Sequence, residues 1–330
     1  MRMLVTGATG FVGQKLAHRL LGSGHEVFAM GRNEIVGKRL EQAGITFLKI
    51  DLSDEAAVIA ACEKIDYVFH CGAFSSPWGE YEQFYKSNVL GTMHVIQGCK
   101  IHGVKRLIHV STPSIYFQYD DRIDVKEDDP LPEHFANHYA ETKYLAEKEI
   151  DKAYHEGLPV ITIRPRAIFG PGDTAIIPRL IKVNEEKFIP LIHEGKARLD
   201  LTYVENVVDA LLLCMNSPEE TIGEKYNISN GEQVKLKEIL ETLFQTLDMP
   251  LRYKKVPYGV AFRLAELLEW VSRTFQNNKE PLLTKYTVSV ISKTQTLNIE
   301  KAKKELGYEP KIIVNEGIEL YAKWWKQQQS

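Results

Sequence analysis

A phenol and an ammonium one helical turn apart can move protons, and Tyr139-Ala140-Glu141-Thr142-Lys143 sets them so. A free phenol, with a pKa of about 10, is a poor proton donor or acceptor at neutral pH. A nearby ammonium favours the phenolate and pulls that pKa down. Proton transfer by a group so placed is typically worth about 10²–10⁴ in rate. Tyr144 and Lys148 repeat the spacing. Five residues of helix turn through about 140°, so the two pairs face different ways and cannot serve one site. Tyr139 is the better placed: it opens its helix after the loop 130–137 and has hydroxyls upstream. These lie in Val110-Ser111-Thr112-Pro113-Ser114-Ile115-Tyr116, at the end of a predicted strand. Ligands of open parallel sheets lie at such ends. A hydroxyl there could hold the oxygen that gains or loses the proton; a plain hydroxyl-rich turn is the alternative.

A second group of residues is suited to phosphate. Thr6-Gly7-Ala8-Thr9-Gly10-Phe11-Val12-Gly13 joins a predicted strand to a predicted helix. Glycines give the tight turn and let backbone N–H groups approach a pyrophosphate, and the helix N-terminus adds oriented donors. The strand–turn–helix context makes dinucleotide binding the expectation. A kinase-type phosphate loop is not supported, because Gly31 to Gly37-Lys38 has the wrong spacing and Arg39 follows. At the end of the second strand an acidic residue would hold the adenosine ribose and repel a 2′-phosphate. The chain reads Met30-Gly31-Arg32-Asn33, with no carboxylate and a cation. The expected cofactor is therefore NADP, with NAD second. Asp51, with Leu52 beside it, is a candidate for the adenine edge; Asp51 could equally cap a helix.

These groups need elements to hold them. Apolar patterning predicts strands at 2–6, 27–30, 46–50, 66–70, 106–111 and 160–164. Helices are predicted between them at 11–21, 37–43, 55–62, 81–102 and 139–154. The alternation implies a doubly wound parallel sheet of Rossmann type, an α/β fold. After Pro165 the rhythm loosens at Gly170-Pro171-Gly172. Helices at 204–215, 236–247, 258–275, 299–306 and 316–326 and a strand at 225–228 follow. A dinucleotide-binding domain is expected at 1–170, with a return segment at about 198–228. A smaller C-terminal substrate-binding part takes 171–197 and 229–330. The segment 258–275 reads as a helix buried in that part, with a substrate lid or a shallow membrane contact as its functional alternatives.

Other chemistries find little support. With 41 basic and 44 acidic residues among 330, the chain lacks the field of a nucleic-acid binder. No apolar run is long enough to span a bilayer, and the opening residues read as a strand and not as the signal segment of an exported protein, so none is expected. Cys62, Cys71, Cys99 and Cys214 show no metal spacing and read as reduced thiols of a cytoplasmic protein. The acidic stretch 120–129 lacks the ligand pattern of a calcium loop and is expected to be a solvated loop. There is no HExxH and no GxSxG, so no metal is expected and no serine hydrolase.

The chain resembles the extended short-chain dehydrogenases/reductases over nearly its whole length. The glycine turn, Asn88 of Asn88-Val89-Leu90-Gly91-Thr92, Tyr139, Lys143 and the following Ala146-Glu147 all match. The resemblance puts the catalytic Ser/Thr at Thr112, with Ser111 as understudy, the acid/base at Tyr139 and its helper at Lys143. It implies cofactor contacts from Cys71, Gly72, Ala73, Asn88, Ser111, Tyr139, Lys143, Pro165 and Ile168. The run Arg164-Pro165-Arg166-Ala167-Ile168-Phe169-Gly170-Pro171-Gly172-Asp173 resembles the 3β-hydroxysteroid dehydrogenase and 2-alkyl-3-ketoalkanoate reductase branch. A dehydratase would carry an acidic pair after Thr112, where Pro113 and Ser114 stand. The resemblance thus implies interconversion of a secondary alcohol and a ketone on a bulky apolar small-molecule substrate, in a homodimer formed through helices 81–102 and 139–154. A nucleotide-sugar epimerase with bound NAD is the alternative, and a non-catalytic dinucleotide sensor the second.

Overall fold

A computed structural model describes residues 1–276 and 278–329. Seven parallel strands form the central sheet: Arg2–Thr6 (β1), Glu26–Gly31 (β2), Thr46–Lys49 (β3), Tyr67–His70 (β4), Arg106–Val110 (β5), Val160–Pro165 (β6) and Lys225–Ile228 (β7). Their order is β7-β6-β5-β4-β1-β2-β3. β6 is buried at every position and β1 from Met3 onward, as expected of parallel strands covered on both faces. The order reverses between β1 and β4, which opens a crevice at their carboxyl ends. Register makes that crevice one edge, because Thr6 lies beside both Met30 and His70.

Helices cover both faces. Phe11–Gly22 (α1) buries Gly13, Leu16, Ala17 and Leu20, a stripe at helical spacing. His138–His155 (α2) packs on the sheet through Ala140, Ala146, Ile150 and Ala153. Val204–Asn216 (α3) returns to the first core, and Arg19 of α1 pairs with its Glu205 and Asp209 at 2.6 and 3.0 Å. Beyond the central sheet, Gln233–Lys235, Arg198–Asp200, Gln295–Leu297 and Arg122–Val125 make a four-stranded sheet. A separate apolar cluster joins Ile177, Ile181, Leu240, Leu243, Phe244 and Tyr321.

Four expectations need correction. The stretch 120–129 is not all loop: Arg122–Val125 is a strand held by Gln295–Leu297, and the Glu127 carboxylate accepts from Asn227 N at 2.7 Å. The helix expected from 37 starts at Glu34, because the Asn33 side chain accepts from Ile35 N and Val36 N. The helix 81–102 carries a π-helical turn at Tyr85–Leu90. Finally, Tyr258–Phe275 (α4) is buried only through Ala261, Ala265, Glu269 and Ser272. Val260, Leu264, Leu267, Trp270 and Phe275 are exposed, so the buried-helix reading fails. No described helix is long and apolar enough to cross a membrane.

Candidate active site

The glycine turn closes on the neighbouring strand exit. Gly7 has φ +64°, and a Cβ on it would stand 2.6 Å from Gly72 Cα. A Cβ on Gly13 would stand 2.4 Å from Gly7 O, so α1 approaches the turn only with glycine there. Gly10 caps α1 without a side-chain bond, and no acid sits in the first turn. Phe11, Val12 and Gly13 thus begin a helix whose first N–H groups suit an anion. Beside it lies a cavity of about 220 Å³ lined by Gly7, Thr9, Gly10, Gly31, Arg32, Asp51, Leu52, Cys71, Gly72, Ala73 and Ser87. Its shape and donors fit the adenosine and pyrophosphate end of a dinucleotide.

Asp51 is not the helix cap, since Asp54 accepts from Ala57 N. Asp51 instead accepts from Ser53 N at 2.9 Å and pairs with Arg32 at 3.4 Å. Burial pushes its carboxyl up, but hydrogen bonds from Ser53 and the Arg32 charge hold it below its ordinary value. Asn88 does not line this cavity. Its amide bridges Phe74 N, Phe74 O and Thr142 Oγ1, so it braces the strand exit against α2. Pro165 ends β6 opposite Ile228, and Ile168 pairs with Thr202 just beyond it.

Asn137 caps α2 by accepting from Ala140 N at 2.9 Å, which fixes the first turn and Tyr139 in it. Tyr139 is half-buried. Burial pushes its phenol above the ordinary value, and hydrogen bonding to Thr112 and Ser75 pulls it back. The expected lowering by Lys143 is not what sets this phenol. The Lys143 ammonium donates to Val110 O at 2.8 Å, and burial lowers its own pKa to about 8. Burial is the largest influence on both groups. Thr112 Oγ1 donates to Ser114 Oγ at 3.0 Å, and Ser114 Oγ meets Tyr286 OH at 3.2 Å. Ser111 is buried away from this chain, beside Glu147. One turn past Lys143, Glu147 grips Arg164 of β6 in a bidentate pair at 2.9 and 2.6 Å. The second pair faces elsewhere: Tyr144 packs on Phe135, and Lys148 lies over the Tyr144 ring.

Sequence reasoning missed Ser75 and Tyr286. Ser75 lies two residues past Ala73, so the rule that ligands sit at strand ends could have found it. Tyr286 follows no motif; it comes from the second half, on the short helix Lys285–Val290. Next to the first turn of α2 opens a cavity of about 600 Å³ that touches Asn137, His138 and Glu141, with Trp78, Phe84, Tyr119, Phe135 and Tyr286 in its wall. The inner face of α4 adds Glu269 and Arg273. The arrangement offers a proton-transferring phenol, two hydroxyls to hold an oxygen, and an aromatic chamber.

A model of the NAD dependent epimerase/dehydratase family matches residues 3–229. A 2-alkyl-3-oxoalkanoate reductase of Stenotrophomonas maltophilia (strain K279a) is 32% identical over 323 residues, covering 96% of this chain and 97% of that protein. A decarboxylating sterol-4-alpha-carboxylate 3-dehydrogenase of Mus musculus is 30% identical over 325 residues, covering 96% and 88%. The structure of a UDP-glucuronic acid 4-epimerase from Bacillus cereus in complex with NAD superposes with a TM-score of 0.77 over 100% of both chains, at 22% identity. The chain belongs to the NAD dependent epimerase/dehydratase family, and within it is an NAD(P)-dependent oxidoreductase of the extended short-chain dehydrogenase/reductase kind.

Proposed function

We propose that this protein reduces the ketone of a bulky apolar β-keto acid, using NADPH. The observation that carries the reading is the Tyr139 phenol, hydrogen-bonded to Thr112, on the helix turn whose residues Asn137 and His138 line the aromatic cavity of about 600 Å³. The related 2-alkyl-3-oxoalkanoate reductase supports the substrate class. When bound, the cofactor supplies the hydride. Tyr139 donates the proton to the substrate oxygen, Thr112 hydrogen-bonds that oxygen, and Lys143 holds the ribose.

Preference for NADPH rests on two features. A Cβ on Gly31 would stand 2.6 Å from Thr9 Oγ1, so an acidic side chain there would displace Thr9. Arg32 borders the adenosine end, mostly exposed, and among the described residues its ion pair is with Asp51 at 3.4 Å. Within this reading the described apolar side chains Met93 and Ile101, exposed on the helix Gly91–His102, support a homodimer.

Purified Tyr139→Phe, assayed by NADPH consumption on 2-alkyl-3-oxo acids, is expected to lose about 10²–10⁴ in turnover. The wild type should favour NADPH over NADH. Full turnover by Tyr139→Phe would overturn the assignment.

A further inference from the structure

Thr112 is assigned to the ketone oxygen, yet its one proton is already engaged. A hydroxyl has one donor and two acceptor positions. Thr112 Oγ1 donates to Ser114 Oγ at 3.0 Å and accepts from Ser114 N at 3.1 Å. The Tyr139 phenol is its third partner and takes the remaining acceptor position. Something must release the Thr112 proton before it can serve a substrate.

Ser114 offers the release. Its Oγ stands between Thr112 Oγ1 and the Tyr286 hydroxyl, at 3.0 and 3.2 Å, and either oxygen of the second contact can be the donor. With Tyr286 donating to Ser114, Ser114 can donate to Thr112, and the Thr112 proton swings to the ketone oxygen. The acceptor position this needs on Thr112 opens when Tyr139 turns its own proton to the same ketone. No O–H bond breaks along the chain; three hydroxyls rotate, and each gives one hydrogen bond. An aromatic hydroxyl is a stronger donor than an aliphatic one, so a phenol suits the outer end. Hydrogen bonds in line polarise one another, which strengthens the last donor.

The second half of the chain holds that phenol in place. Tyr286 lies in the first turn of the helix Lys285–Val290, where Thr284 and Thr287 bind each other's backbone at 2.9 and 3.0 Å. Lys285 N donates to Glu269 Oε1 of α4 at 2.7 Å. The Phe117 ring meets the Tyr286 ring edge-on, with centroids 4.9 Å apart. Tyr286 also lines the aromatic cavity, so its hydroxyl is carried at the border between substrate space and the strand exit. Donors fixed in advance need no reorganisation at the moment of reaction.

We propose that Tyr286 and Ser114 are positioning residues of the reduction, forming with Thr112 a hydroxyl chain that aims the Thr112 proton at the ketone oxygen. The inference rests on the ketone-reductase reading above. It gives the second half a part in the chemistry as well as in substrate binding.

The test is a double-mutant cycle in the full-length protein with NADPH and 3-oxodecanoate, crossing Thr112→Val with Tyr286→Phe and with Ser114→Ala. Alone, Thr112→Val is expected to lose about 10²- to 10³-fold in kcat. Tyr286→Phe and Ser114→Ala should each lose about 10-fold in kcat, with KM for the keto acid moved less than about threefold. Added to Thr112→Val, either change should cost less than about twofold, because the chain then has no end to act through. A loss that persists in full in the Thr112→Val background overturns the chain, since Tyr286 would then act on the substrate or the fold directly. So does an unchanged kcat in either single variant, or a loss confined to KM. Should Tyr286→Phe fail to fold, the Ser114→Ala cycle decides with the same outcomes. Calorimetry of 3-hydroxydecanoate binding to the NADP complex repeats the cycle without turnover. Coupled losses of affinity with no ketone reduced would keep the chain and sink the reductase reading. Tyr139-dependent reduction with independent losses at the two positions would do the reverse. Neither binding nor reduction by the wild type would overturn both.

Discussion

At the scale of single residues, the least expected finding is that Tyr139 and Lys143 are both held in their neutral direction. Burial raises the phenol and lowers the ammonium to about 8. Below that pH the lysine is charged and can donate to ribose hydroxyls; above it the charge is lost. Affinity for NADPH should therefore weaken as pH rises through about 8, measured by fluorescence titration of the ligand-free protein. Lys143→Met should remove the inflection. A flat wild-type profile would show that Lys143 stays charged or does not touch the cofactor. The spacing of Tyr139 and Lys143 was readable because one helical turn is a local property. Their proton affinities were not, because those depend on what buries them: Val110 from β5, and Thr112 and Ser75 from two separate strand exits. Tyr286 illustrates the same limit, since its meaning comes from a contact with the distant Ser114.

At the scale of elements, α2 matters as a rail that fixes three positions in succession. Tyr139 meets Thr112 and Ser75, Lys143 meets Val110, and Glu147 locks onto Arg164. Burial pushes the Glu147 carboxyl up, yet the Arg164 guanidinium holds it below its ordinary value. That guanidinium also donates to Glu127 O at 3.1 Å and to the Tyr116 hydroxyl. Removing one partner leaves a buried, uncompensated charge. Glu147→Gln should cost about 3–5 kcal/mol in denaturant unfolding. A loss under about 1 kcal/mol would mean that solvent reaches Arg164. Periodicity announced α1 and α2 well because each buries one stripe on a sheet. It failed for the second sheet, whose strands include Arg198–Asp200 and Gln233–Lys235. Three residues cannot show a period of two, and Gln295–Leu297 finds Arg122–Val125 across most of the chain.

At the scale of the whole molecule, the chain leaves the central sheet after β6 and comes back to it. β7 covers the outer edge of β6 through Lys225↔Thr162 to Ile228↔Pro165. α3 buries Val207, Val208, Ala210 and Leu211 completely in the first core. A protein ending at residue 170 would lack both, exposing an unpaired strand and an apolar face. Such a fragment should aggregate or melt without cooperativity, read by light scattering and circular dichroism. A monomeric fragment with a sharp transition would contradict this. The same return path bears on protein engineering. Another enzyme's substrate-recognition half could not be grafted here with a single splice. Junctions would be needed on both sides of the returning segment, and the donor would have to reproduce the grip of Arg19 on Glu205 and Asp209.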